Sequence, residues 1–339
     1  MLALWVHDIN PVAVDLGFIA IRWYGLSYLL GFAIGYLLVR RVTQVGESTL
    51  KPQHAADFIV ACAIGIVVGG RLGYVLFYDP QLMWTWMDEA PWWGVLAINH
   101  GGMASHGGMI GLFAATLYFA KRHGHRWGHL MDLGAFAAPL GLFFGRIANF
   151  INGELLGRPV DQGSIALRWA VKFPQELYDQ ADAAEQAVGL LQAAGYTPGH
   201  GRMDPVTWII EQVQRGNEAV RQIIEPVLTP RHPSQLYAAV MEGLIVFAVL
   251  LWVWRKPRRP WTVGGWFGVS YAVMRILDEH WRLPDVQLGY QLLGLTRGQW
   301  LSAGLLAVGA GLLWWSRCQG PMTGNADVPR LGGWRRRGT

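Results

Sequence analysis

Seven apolar stretches dominate the chain, at about 18–39, 56–78, 102–120, 130–152, 234–254, 262–281 and 299–316. Each is near the roughly 20 residues that a helix needs to cross a bilayer. In lipid an open chain has no water to satisfy its N–H and C=O groups, so such segments must be helical. The sequence therefore predicts an all-α membrane protein with about seven transmembrane helices. Only 15% of the 339 residues are charged, against roughly 25% in soluble domains. The 18 tryptophans suit rings at a membrane–water boundary. The net charge of +5 falls in short clusters between apolar runs, which reads as topology and not as a nucleic-acid surface. Cys62 and Cys318 lie in or beside different runs and make neither a disulfide framework nor a cysteine zinc site. His100 and His106 lack a third ligand, so no metal is expected, and no cofactor either. The N-terminus lacks a basic region followed by a cleavable apolar core, so the first span is expected to stay as an anchor.

Basic residues set the orientation. Arg40 and Arg41, then Lys121, Arg122 and Arg126, then Arg255, Lys256, Arg258 and Arg259, and finally Arg317 follow the first, third, fifth and seventh runs. The 79–100 loop carries acids and neither Lys nor Arg. The positive-inside rule then puts the N-terminus outside and the C-terminus in the cytoplasm. The expected domains are helices 1–4 within 1–152 with the cavity, an extracytoplasmic head over 153–233, helices 5–7 over 234–317, and a disordered cytoplasmic tail over 318–339. In the head, SIALRWAVKFP alternates like a strand, and about 175–195 and 205–226 read as surface helices.

With that topology, the polar residues inside the spans collect at one level. Arg22, Tyr24, Arg71, His106, Arg146, Asn149, Glu154, Gln235, Tyr237, Tyr271, Arg275 and Glu279 all fall in the outer half or at its edge. An ionisable residue within a span is costly and is a functional candidate by default. Tyr271, Arg275 and Glu279 are spaced four apart and share a helix face. Three arginines (Arg71, Arg146 and Arg275) with few acids to neutralise them point to an anionic ligand such as a phospholipid headgroup. Plainer readings stand beside this one. Gly69, Gly70, Gly73, Gly107, Gly108 and Gly111 suit close helix packing. Arg146 with Glu154, and Arg275 with Glu279, suit structural ion pairs. His106 suits a hydrogen-bonded interior histidine as well as a catalyst. Asp57 and Asp132 suit helix N-termini. An anion transporter would carry polar residues through both leaflets, and the inner halves are nearly clean. A non-catalytic lipid scaffold needs no histidine beside the arginines.

Six colinear motifs resemble the prolipoprotein diacylglyceryl transferase family of bacterial inner membranes. They are RWYGLSYLLGF (22–32), GGRLGYVLFY (69–78), GGMASHGGMIG (101–111), GRIANFINGELLGR (145–158), RHPSQLY (231–237) and the series Tyr271, Arg275, Glu279, Arg282, Pro284 and Asp285. Ala104-Ser105 stands where many members have a serine and an aromatic, Ala238 stands where an acid is common, and 159–230 is longer than in many members. The resemblance implies transfer of the diacylglyceryl unit of phosphatidylglycerol to the lipobox cysteine thiol of a preprolipoprotein, with release of glycerol 1-phosphate. It implies Arg146 and Arg275 as clamps on the headgroup and leaving group, with Glu279 beside them, and His106 as base or proton relay. Tyr24, Arg71, Asn149, Glu154, Gly157 and Tyr271 then bind and order the substrate. The nucleophile belongs to the substrate, so the chain needs no catalytic cysteine or serine.

A periplasmic reporter fused within 160–230 is expected to be active, and one fused after Arg317 inactive. Cytoplasmic behaviour of the first fusion would overturn both the orientation and the outer cavity.

Overall fold

The computed structural model describes residues 4–17, 20–88, 90–98, 101–199, 203–255, 258–283, 291 and 294–319. The readings at His100, Lys256, Pro284, Asp285 and the tail from Gly320 fall outside these residues. The described chain is mostly helical. Helices α1 (Trp23–Gln44), α2 (Ala55–Phe77), α3 (Ser105–His123) and α4 (Trp127–Asn152) precede three shorter ones, α5 (Ala181–Ala193), α6 (Pro205–Gln214) and α7 (Glu218–Ile224). Then α8 (Ser234–Ala238) runs through a π-helical segment, Ala239–Ile245, into α9 (Val246–Trp254), followed by α10 (Thr262–Asp278) and α11 (Arg297–Cys318). Five helical stretches among the described residues are long and apolar enough to cross a membrane: Trp23–Gln44, Pro52–Phe77, Trp127–Asn152, Ser234–Trp254 and Arg297–Cys318. The other two expected spans are helical but fall short. α3 ends in Lys121, Arg122 and His123, and α10 has 17 residues.

Contacts divide the chain into two units. The first comprises Met1–Gly31, Pro139–Val246 and Ser270–Leu306; the second comprises Phe32–Ala138, Phe247–Val269 and Ala307–Thr339.

In the second unit, glycines fix the packing of α2 on α3. A Cβ on Gly65 would sit 2.6 Å from the Gly111 carbonyl oxygen, one on Gly69 2.4 Å from that of Gly107, and one on Gly73 2.8 Å from the Gly107 Cα. The backbones meet because no side chain keeps them apart, so the packing reading of these glycines holds. Asp132 is buried and accepts the amide of Gly264 at 2.7 Å, which satisfies an orphan donor in the first turn of α10. It serves the start of that helix and not the start of its own.

In the first unit, α5, α6 and α7 close a core of Leu177, Leu191, Ile209, Val213, Val220, Ile224 and Leu228, joined by Val6 from the N-terminal segment. Asp204 caps α6 through the Thr207 amide at 3.0 Å, with Pro205 at the first helical position. Asn217 caps α7 through Val220. Strand β1 (Trp5–Val6) pairs in parallel with β4 (Val171–Lys172), which pairs antiparallel with β5 (Pro230–Arg231). Strands β2 (Val12–Asp15) and β3 (Ala20–Arg22) form a separate antiparallel pair. The strand expected in SIALRWAVKFP is only two residues long. Ile165–Trp169 is a 3-10 helix capped by Ser164, and a second one starts at Pro174. A local serine cap and a proline outweigh the alternating pattern there. His7 is buried among Phe150, Phe173 and Trp5, and burial pulls its pKa down to about 4, so its ring is neutral at pH 7.

Gly111→Ala drives a methyl into the Gly65 carbonyl oxygen, well inside van der Waals contact, so α2 and α3 must separate. A destabilisation of roughly 1–3 kcal/mol is expected, read as a lowered melting temperature of the purified protein; an unchanged melting temperature would contradict the close approach.

Candidate functional site

The first unit contains a buried ion cluster built from three helical segments. Gly243, in the π-helical segment, packs on α4: a Cβ there would lie 2.7 Å from the Phe143 Cβ and 3.0 Å from its Cα. That approach brings Glu242 beside Arg146, three residues beyond Phe143. Arg146 donates from Nε and Nη2 to Glu242 Oε2 at 2.9 and 2.7 Å. From α10, Arg275 Nε lies 3.6 Å from Glu242 Oε1, while its Nη1 lies 3.1 Å from Asp278 Oδ2 and 2.7 Å from Glu279 Oε2. Tyr271 lies one turn before Arg275 on α10, on the same helix face. Thr296 donates to Glu279 Oε1 at 2.9 Å, so the carboxylate is held from both sides.

The expectation of few acids is corrected here, because Glu242, Asp278 and Glu279 accompany the two arginines. Their arrangement is asymmetric. The side chains of Arg146 and Arg275 are 15% and 12% exposed, whereas those of Glu242, Asp278 and Glu279 are 0%, 1% and 5% exposed. The two arginine side chains are thus the more exposed members of the cluster and the three carboxylates the more deeply buried ones. A narrow pocket beside the cluster is lined by Arg146, Ser234, Gln235, Ala238, Asp278 and Arg282.

A second layer fixes the turn after α4. Glu154 accepts from Asn149 at 3.0 Å and from Asn152 at 3.1 Å, and its own carbonyl accepts from Gln235 at 2.5 Å. Arg146 pairs with Glu242, so the pair with Glu154 does not form; Arg275 does pair with Glu279. Tyr24 lies against Tyr28, with ring centroids 5.2 Å apart. Gly153 takes a positive φ of 66° directly against Gln175, where an added Cβ would lie 2.3 Å from the amide carbon. Gly157 lies against the His232 carbonyl, which a Cβ would approach to 2.1 Å. Arg231, buried with Glu176 at 2.5 Å, donates to the Gly157 carbonyl at 3.1 Å.

Tyr24, Arg146, Asn149, Glu154, Gly157, Tyr271, Arg275 and Glu279 thus all belong to the first unit, whereas Arg71 and His106 belong to the second. Arg71 is buried, and its guanidinium donates to the carbonyls of Gly94, Val95, Gly101 and Gly102 at 2.5, 2.8, 2.6 and 3.0 Å. Most of its five N–H donors are used on this loop. His106 is the second residue of α3 and is exposed.

The sequence pattern described as prolipoprotein diacylglyceryl transferase matches residues 11–315. The chain belongs to this family. A relative from Bdellovibrio bacteriovorus, called phosphatidylglycerol–prolipoprotein diacylglyceryl transferase, is 44% identical over 98% of this chain and 97% of its own. Relatives of the same name from Rhodospirillum centenum and Neisseria gonorrhoeae are 40% and 38% identical, over 90% and 89% of this chain and 91% and 94% of theirs. Two acids of the cluster, Glu242 and Asp278, are what sequence reasoning missed. Glu242 carries the same signal as the arginines, an ionisable residue within an apolar span. Asp278 falls one residue before Glu279, off the four-residue stripe, and periodicity alone does not find it.

Proposed function

We propose that this chain transfers the diacylglyceryl group of phosphatidylglycerol to the cysteine thiol of a preprolipoprotein lipobox. It does so in the bacterial inner membrane, from a cavity in the outer-leaflet half. The observation that carries this reading is the pair of arginines, partly exposed, held by three more deeply buried carboxylates. The family membership and the relatives' names support it. Seven spans, a head segment on the outer side and a cytoplasmic C-terminus complete the proposal. α3 and α10 are within the 17–25 residues that suffice for a crossing.

In the reaction the substrate sulfur attacks the glyceryl carbon that bears the phosphate ester. A C–S bond forms, the C–O bond breaks, and glycerol 1-phosphate leaves. The phosphate passes from a diester to a monoester and gains negative charge as it departs. Arg146 and Arg275 therefore interact more strongly with the transition state than with bound lipid, which is the condition for acceleration. Tyr271 and Glu279 hold those two forks. Asn149, Glu154, Gly157 and Tyr24 shape the turn beside them. Arg71 acts indirectly in this proposal, by holding the 94–102 loop through its carbonyls. His106 accepts the thiol proton, directly or through a water. Its place in the first turn of α3 favours a thiolate, because helix N-termini stabilise negative charge.

The deciding experiment is transfer from labelled phosphatidylglycerol to a lipobox peptide by the purified protein; phospholipid binding without transfer would leave a scaffold, and anion flux without transfer a transporter. In that assay Arg146→Lys and Arg275→Lys are each expected to lose about 2–4 kcal/mol of transition-state stabilisation, since a point charge cannot replace a planar fork on phosphate; near-normal rates in both would make them structural. His106→Gln is expected to keep lipid binding, lose transfer at neutral pH, and recover in part as pH nears the free thiol's pKa of about 8.5. Lost binding would make His106 a headgroup or structural residue, and an unaffected profile would leave thiol activation to the arginines.

A further inference from the structure

Glu242 stands apart from every residue that the resemblance assigns. It is fully buried, and it touches both arginines at once. Its Oε2 accepts two N–H groups of Arg146, which fixes the plane of that guanidinium. Its Oε1 faces Arg275 at 3.6 Å and, among the described residues, accepts no hydrogen bond. The backbone is shaped around it. The helix departs to π geometry over Ala239–Ile245, with Glu242 in the middle, and Gly243 allows the contact with Phe143. Such π segments are rare and cluster at functional sites.

We propose that Glu242 is the positioning residue of the phosphate site, and that it also sets how tightly phosphate is held. This rests on the transfer reading above. A carboxylate 2.7 Å behind the Arg146 guanidinium does two separable things. It orients the fork, and it lowers the positive potential on the reachable side. The first speeds displacement. The second keeps the phosphate monoester, which carries more charge than the lipid, from remaining bound after the reaction. Asp278 and Glu279 neutralise Arg275 from the other side, so Arg146 depends on Glu242 for an acidic partner among the described residues. Tyr271 and Arg282 complete the polar surroundings.

The two effects predict opposite signs for catalysis and binding, which a merely structural residue would not produce. Glu242→Gln keeps the shape and removes the charge. Titration calorimetry with inorganic phosphate on the purified, full-length variant is expected to show binding about tenfold tighter than in the unaltered protein. In the transfer assay kcat is expected to fall at least tenfold, with KM for phosphatidylglycerol unchanged or lower. Glu242→Asp keeps the charge and withdraws it by one methylene; phosphate affinity should stay within twofold while kcat falls, and this variant carries the test if Glu242→Gln does not fold. Phosphate binding that is unchanged or weaker in Glu242→Gln, or a loss confined to KM, would overturn the proposal. The calorimetric arm needs no turnover, so failure of the unaltered protein to transfer diacylglyceryl groups would sink the functional reading while leaving this one measurable.

Discussion

A guanidinium taken out of water needs an opposite charge or a full set of acceptors, and breaking a buried pair costs far more than the pair contributes. Arg146 and Arg275 impose that requirement on everything near them. Glu242 must be buried next to Arg146, which requires Gly243 to lie against Phe143. Arg275 must find Asp278 and Glu279, and Glu279 is in turn held by Thr296 just ahead of α11. These pairings set the spacing of α4, the π-helical segment and α10, with the three carboxylates buried more deeply than the two arginines.

Much of the architecture was legible before any coordinates. Hydrophobic runs located every long helix to within a few residues, because a bilayer leaves few alternatives for the backbone. The glycine rows of α2 and α3 announced close packing, since a stripe of residues without side chains on an apolar helix has little else to offer. The stripe of Tyr271, Arg275 and Glu279 was visible from its spacing. What escaped was partnership. Nothing in the order of residues says that Arg146 chooses Glu242 over the nearer Glu154, or that Arg71 spends its donors on the carbonyls of a loop. Those choices depend on how helices approach one another. The alternating segment after Ser164 failed for a local reason, as a serine cap and a proline impose turns that periodicity does not register.

Two buried arginines outside the cluster show a different use of the same side chain. Arg71 gathers the carbonyls of residues 94, 95, 101 and 102, and Arg231 joins Glu176 to the carbonyl of Gly157. In each, one planar cation organises irregular backbone that has no sheet or helix to satisfy it. Arg71 and Arg231 are also buried more deeply than Arg146 and Arg275.

The pairing of Trp5–Val6 with Val171–Lys172 has a consequence for synthesis. A strand made among the first residues waits for a partner more than 160 positions later. At about 5–20 residues per second that is on the order of 10 s or more. Through that interval helices α1 to α4 emerge, and the waiting strand has no partner for its N–H and C=O groups except water. The N-terminal segment therefore has to stay on a wet face, tethered by α1, while those four helices are made, and docks only when the 153–233 segment arrives. High contact order of this kind makes the closing of that small sheet late relative to every helix made between its strands.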